Sequence, residues 1–269
     1  MTSPNDQLER LLENAKRIQS NEFADVMKDH DELVRHYSFR LRPSVGSISL
    51  VSCANSTPQL GFSNITSAST LRNKLDALKD GRSKLEPPSR DTPEKSVQSW
   101  LILQAMENDG HVKSIEHALD DDHSYRFVSD EIALSVPNAI GLSEKPKRVV
   151  ADLLLVRVDG NGESELVNVE LKSERTSETH GQIKEFWPFM GPDHLALWRK
   201  FAETMLRGKE LRWKEASQPR GLVIWPARPE GAAPLKSTVR LISEHKDLGI
   251  DTIGYFGPEY GFRSEHSSP

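Results

Sequence analysis

Apolar residues at Leu8, Leu11, Leu12 and Ala15 recur three and four positions apart, and the spacing predicts a helix over Gln7–Ile18. A second helical pattern surrounds Leu71–Leu78. Between them the Ser/Thr/Asn/Gly-rich stretch Ser44–Ser67 reads as short strands and turns. Lys84–Pro93 reads as a linker, because the adjacent Pro87 and Pro88 disfavour both helix and central strand. Beyond it the pattern becomes regular. Thr92-Pro93-Glu94 has the cap, first-position proline and first-turn acid of a helix start, and Val97, Trp100, Leu101, Gln104 and Ala105 follow at helical spacing. Strands are predicted at Tyr125–Val136, Arg148–Val158 and Glu165–Ser173, then a helix over Glu178–Phe189. A further helix, capped by Asp193, runs through Leu197, Phe201 and Leu206. Gly221–Pro226 is a strand, Lys236–His245 a helix and Asp251–Phe256 a last strand; the tail Arg263–Pro269 is expected to fray.

The order of these elements is α-β-β-β-α-(α)-β-(α)-β, with no internal repeat. It divides the chain into an accessory region at residues 1–82, a linker at 83–93, a main domain at 94–260 and a flexible tail at 261–269. Composition narrows the setting. No run approaches the roughly 20 apolar residues of a membrane span, and the first residues are neither basic nor apolar, unlike a secretory signal. Cys53 is the only cysteine, so intramolecular disulfides and thiolate zinc clusters are excluded and a reducing cytoplasm fits. The 35 Lys and Arg against 40 Asp and Glu leave a net charge of −5, which speaks against a protein that coats nucleic acid uniformly.

One strand carries an anomaly. Val149-Val150-Ala151-Asp152-Leu153-Leu154-Leu155-Val156 is apolar on both pleat faces, as in a strand buried on two sides, and Asp152 interrupts it. On the next strand, alternation puts Asn168, Glu170 and Lys172 on one face and Val167, Val169 and Leu171 on the other. The turn Asp159-Gly160-Asn161-Gly162 connects the two strands. With Gly160-Asn161-Gly162 as a three-residue loop and Gly162 left-handed, Asp159 faces Glu163. Stepping outward one residue at a time then brings Asp152 opposite Glu170. Two carboxylates so placed destabilise a sheet unless a cation neutralises them. A two-residue loop would send them to opposite faces, and the ordinary alternative is a structural ion pair at a sheet edge.

A helix with a Glu, an Asp on one hairpin strand, Glu-x-Lys on the other and then a helix resembles the PD-(D/E)XK nuclease superfamily. The matching residues are Glu94, Asp152 and Glu170-Leu171-Lys172, within Glu94–Phe256. Gln182-Ile183-Lys184-Glu185-Phe186 is similar to the Gln-hydrophobic-x-x-Tyr motif of the RecB-like exonuclease branch, with Phe186 in place of Tyr; Ala151 stands where the family's Pro precedes the Asp.

The resemblance implies an α/β restriction-endonuclease-like αβββαβ core and Mg²⁺-dependent hydrolysis of DNA phosphodiesters, with Mn²⁺ able to substitute. It makes Asp152, Glu170 and the Leu171 carbonyl metal ligands, Lys172 the residue that activates water or stabilises charge, Glu94 a further ligand and Gln182 an orienting residue. It also implies a homodimer or larger complex and a role in defence or repair. The alternative is a nuclease fold without catalysis that binds nucleic acid or protein.

Other features have plainer explanations. A first-turn Glu94 suits the helix dipole. The basic residues Arg199, Lys200, Arg207, Lys209, Arg212 and Lys214, interleaved with Trp198 and Trp213, could follow a DNA backbone. Glu203, Glu210 and Glu215 dilute them, which favours an amphipathic helix with a solvated face. Asp120-Asp121-Asp122 reads as a solvated turn, and the nine His lack the spacing of a zinc hydrolase.

Overall fold

The hairpin centred on Asp159–Gly162 forms as its turn chemistry requires. The computed structural model describes residues 3–43, 46–53, 61–84, 92–119, 122–136, 147–176, 179–215, 219–229, 231–232, 235–257 and 260–265. The 84–93 linker falls largely outside them, as do Asp120 and Asp121. Asp159 N–H donates to the Glu163 carbonyl at 3.0 Å, and Gly162 has φ 78°, a left-handed value that glycine adopts without a Cβ clash. The Asp159 carboxylate accepts from Asn161 N–H and Glu163 N–H, both at 2.9 Å. Strands β5 (Lys147–Val158) and β6 (Glu163–Leu171) therefore pair with Val158 opposite Ser164 and Leu153 opposite Val169, the expected register.

These strands sit inside a mixed sheet, and the chain is of mixed α/β class. β4 (Ser124–Val136) pairs antiparallel with β5 on one side. β8 (Arg220–Pro226) joins β6 in parallel, β9 (Ile250–Phe256) joins β8 in parallel, and β10 (Gly261–Ser264) closes antiparallel on β9. The two-residue β7 (Arg212–Trp213) lies beside the start of β6. One face of the sheet is covered by α5 (Pro93–Glu107) and α6 (Lys113–Leu119): Val97, Leu101, Ile102 and Ile115 bury Leu153, Leu155, Val167, Val169 and Leu171. On the other face α7 (Thr179–Phe186), a 3-10 turn at Trp187–Met190 and α8 (Pro192–Met205) place Phe186, Met190, Trp198 and Phe201 over Leu154, Val156 and Leu166. There α9 (Lys236–Asp247) covers Val223, Trp225 and Ile250.

Described residues among the first 82 share this core. α1 (Pro4–Ile18) buries Leu8, Leu11 and Ala15 in the same apolar cluster as Ile132, Leu134, Trp198 and Phe201. Its Gln7 amide both donates to and accepts from the Ser135 backbone at 2.8 Å, occupying part of the outer edge of β4 that would otherwise offer free pairing groups. α2 (Asn21–Asp29), α3 (Asp31–Val34) and α4 (Ala68–Lys79) surround a second antiparallel sheet of β1 (Tyr37–Arg42), β2 (Ser47–Ser52) and β3 (Gly61–Ile65). β1 leans on β4, where Arg40 Nε donates at 2.9 Å to Asp130, a wholly buried carboxylate.

Thr92 holds the cap position of α5 as expected, with Pro93 and Glu94 in the first turn, though without a side-chain cap bond. Two expectations need correction. α8 is capped at Gly191 with Pro192 in its first turn, so Asp193 is a first-turn acid rather than the cap. Gly261–Ser264 pairs with β9 instead of fraying; residues 266–269 lie outside the described ones. The basic segment also divides: Trp198 is fully buried, α8 stops at Met205, and Arg199 packs over Trp213 while donating to the Lys214 carbonyl.

Candidate active site

The β5–β6 ladder stops at Leu153–Val169, one step short of Asp152 and Glu170. Past that point β5 stays with β4 as far as Lys147–Val136, while β6 goes on with β8 through Glu170–Val223 and Leu171–Ile224. The sheet forks there. Asp152 lines one arm and Glu170 the other. Such a parting between neighbouring strands is a usual place for a ligand, because side chains and backbone groups lose their ladder partners together.

The side chain of Asp152 crosses the fork. Its Oδ2 accepts from Leu171 N–H at 2.8 Å. A residue's N–H and carbonyl face the same side of its strand, so the Leu171 carbonyl faces β5 as well. Glu170, 5% exposed, receives the Lys172 ammonium at 2.7 Å. Lys172 is anchored through its backbone, N–H to the Ile224 carbonyl at 2.9 Å and carbonyl from the Tyr255 hydroxyl at 3.2 Å. Burial, and then the charge of Asp152, push the Glu170 carboxyl up to about 8, against the pull of Lys172. Burial also raises Asp152, while the Leu171 N–H opposes the rise. Two acids are thus held together in a setting that disfavours their ionisation.

The other expected residues lie at different distances from this pair. Glu94, in the first turn of α5, accepts from Ser173 N–H at 2.8 Å, just past Lys172, and its charge raises both Asp152 and Glu170. Gln182 is exposed on α7 and has no side-chain hydrogen bond among the described residues. Phe186 is fully buried, its ring 5.8 Å from that of Trp198, so it is a core residue. Among the described residues no three His, Cys, Asp or Glu side chains converge closely enough to hold an ion.

Three further residues belong to the site. Gln98, fully buried one turn after Lys95 on α5, donates to the Asp152 carbonyl at 2.8 Å. Lys95 donates to Gln98 Oε1 at 3.2 Å and is paired with Glu131 of β4. The sequence held one signal for this group: Asp130-Glu131 puts two acids, both depleted from strands, side by side in a predicted strand.

No model of a known protein family, no curated protein and no solved structure matches the chain. Its chemistry rests on this geometry. Among the described residues no helix is long and apolar enough to cross a membrane.

The donor set fits a hard divalent cation. Asp152 and Glu170 bring carboxylate oxygens whose mutual repulsion a cation relieves, and the Leu171 carbonyl faces the same fork. Two carboxylates suffice for Mg²⁺, which ordinarily keeps several waters and takes its remaining oxygens from a phosphate.

Proposed function

We propose that this chain is a Mg²⁺-dependent deoxyribonuclease of PD-(D/E)XK type with a restriction-endonuclease-like core. The observation that carries the reading is the set Asp152, Glu170 and Lys172 gathered at one fork of a mixed sheet, with Leu171 N–H on Asp152 and Lys172 on Glu170. The strand order supports the reading: an antiparallel β4-β5-β6 meander is followed by a helix and a parallel β8, in keeping with the αβββαβ order that the resemblance implies.

Asp152 and Glu170, with the Leu171 carbonyl, would hold the ion; Mn²⁺ would substitute. The bound ion supplies Lewis acidity toward a phosphodiester oxygen and lowers the pKa of a bound water. Lys172 carries a fixed positive charge at the same fork, where it orients the attacking water by hydrogen bonding and stabilises charge that builds on the phosphate. Glu94 holds the Ser173 backbone and so the segment that carries Lys172. Gln98 pins the β5 main chain at Asp152.

The test is cleavage of linear and circular DNA, double- and single-stranded, with Mg²⁺, Mn²⁺ or EDTA, comparing the native chain with Lys172→Ala. Metal-dependent cutting that falls by about 10²-fold or more in the variant is expected. Equal cutting by both would remove Lys172 from the chemistry. The absence of a third acidic or histidine ligand among the described residues favours a second reading, a nuclease fold that binds nucleic acid without cutting it. Metal-independent DNA binding with no cleavage would select that one.

A further inference from the structure

Lys95, Gln98 and Glu131 meet on the β4 side of Asp152. Glu131 occupies the β4 position across from Asp152, between the ladder pairs Asp130–Leu153 and Ile132–Ala151. Its φ is 51°, in the left-handed region that a residue with a Cβ enters only when its surroundings hold it there. Its carboxylate pairs with the Lys95 ammonium and accepts a long hydrogen bond from Gln98 Nε2 at 3.5 Å. Lys95 in turn donates to one end of the Gln98 amide at 3.2 Å, and the other end donates to the Asp152 carbonyl at 2.8 Å. One buried amide group therefore separates a lysine ammonium from Asp152. The Asp152 side chain uses Oδ2 for Leu171 N–H, and among the described residues no cation pairs with it. Lys172 is taken by Glu170.

We propose that Glu131 is a positioning residue that holds Lys95 off the Asp152 carboxylate, keeping that carboxylate open to a divalent cation. This rests on the reading of Asp152 and Glu170 as the ion's ligands. A lysine is a compact charge on a flexible stem, and a lysine released beside an unpaired carboxylate moves to it. Lys95 would then fill the place of the ion.

The test is Mn²⁺ affinity, measured by calorimetric titration of the full chain, with folding of each variant checked by circular dichroism. Glu131→Gln, and Glu131→Gly (which keeps a backbone at ease in the left-handed region), should each weaken binding about tenfold, the size of one charge-assisted contact. Adding Lys95→Met to either should restore the native affinity, and Lys95→Met alone should bind at least as tightly as the native chain. Native affinity in Glu131→Gln and Glu131→Gly would overturn the proposal. So would a loss that Lys95→Met fails to restore, because Glu131 would then be a structural strut. Asp152→Asn separates the two levels: if it binds Mn²⁺ as the native chain does, the ion-binding reading fails and this proposal falls with it.

Discussion

Asp152 Oδ2 and Leu171 N–H are 2.8 Å apart, and this bond replaces the backbone ladder at the point where β5 and β6 separate. A side-chain acceptor thereby satisfies a β6 amide that no β5 carbonyl reaches. The exchange leaves the acidic pair at an opening in the sheet instead of within it. The β5–β6 fork, more than either acid alone, makes this the candidate site.

The first consequence is a dependence of stability on pH. The folded-state Glu170 carboxyl is pushed up to about 8, above its ordinary 4.5, so between those values the unfolded chain releases a proton that the folded chain keeps. Glu170 therefore destabilises the fold progressively as pH rises from about 4.5 to about 8, by at most roughly 1.4 kcal/mol per pH unit, and no further above that. Glu170→Gln should flatten the slope in denaturant titrations between pH 5 and 8. Millimolar Mn²⁺ should raise the melting temperature of the native chain more at pH 8.5 than at pH 6, since ion and proton compete for the same oxygens. An unchanged slope in the variant would show that Glu170 ionises normally.

A second prediction concerns the turn that sets the register. Gly162 at φ 78° has open space where a Cβ would go, so Gly162→Ala costs only the backbone strain, about 1 kcal/mol. Gly162→Asn should cost less, because asparagine tolerates this conformation. Both should keep Asp152 and Glu170 at the fork and retain any metal response. Deleting Asn161 should abolish that response by shifting one strand's side chains to the other face. A metal response that survives the deletion would detach the site from the hairpin register.

Arg40 and Asp130 tie the N-terminal sheet to β4. Asp130 is wholly buried, and its Oδ1 has no partner among the described residues, so Arg40 is its main compensation. Arg40→Met leaves that charge uncompensated and should cost about 3–5 kcal/mol in urea unfolding. The double variant Arg40→Met with Asp130→Leu should recover most of it. Additive losses in the double variant would show that the two side chains do not act as a pair.

Asn168 makes the opposite prediction. Neither polar atom of its fully buried side chain has a partner among the described residues, and it lies beside Gly221, where Ile183 of α7 descends so closely that a Cβ would meet it at 3.0 Å. Asn168→Val should raise stability by about 1–2 kcal/mol by removing an unsatisfied amide from the interior. A loss of stability would mean that the amide is satisfied by water in solution.

Much of this molecule was legible from the chain alone. Alternation and turn chemistry act between neighbours in sequence, so the Asp159–Gly162 turn and the register from Val158–Ser164 to Leu153–Val169 could be read without coordinates, whereas the expected direct pairing of Asp152 with Glu170 is replaced by the fork. The N-terminal elements were less legible. In β1 the large apolar residues alternate at Tyr37, Phe39 and Leu41, yet Ser38 and Arg40 are buried, because the strand turns a polar side chain inward to meet Asp130. Phe186 read as an altered motif residue, and packing against Trp198 makes it core. The sequence by itself determined the hairpin, its register and the acids brought to it, since those follow from bonds a few residues apart. Only the tertiary structure decided that β6 parts from β5 beyond Val169 while staying paired with β8, and that Lys95, Gln98 and Glu131 gather beside Asp152. Those contacts join residues 36 to 54 positions apart along the chain, or strands whose neighbours are chosen by packing, and no local pattern encodes such a choice.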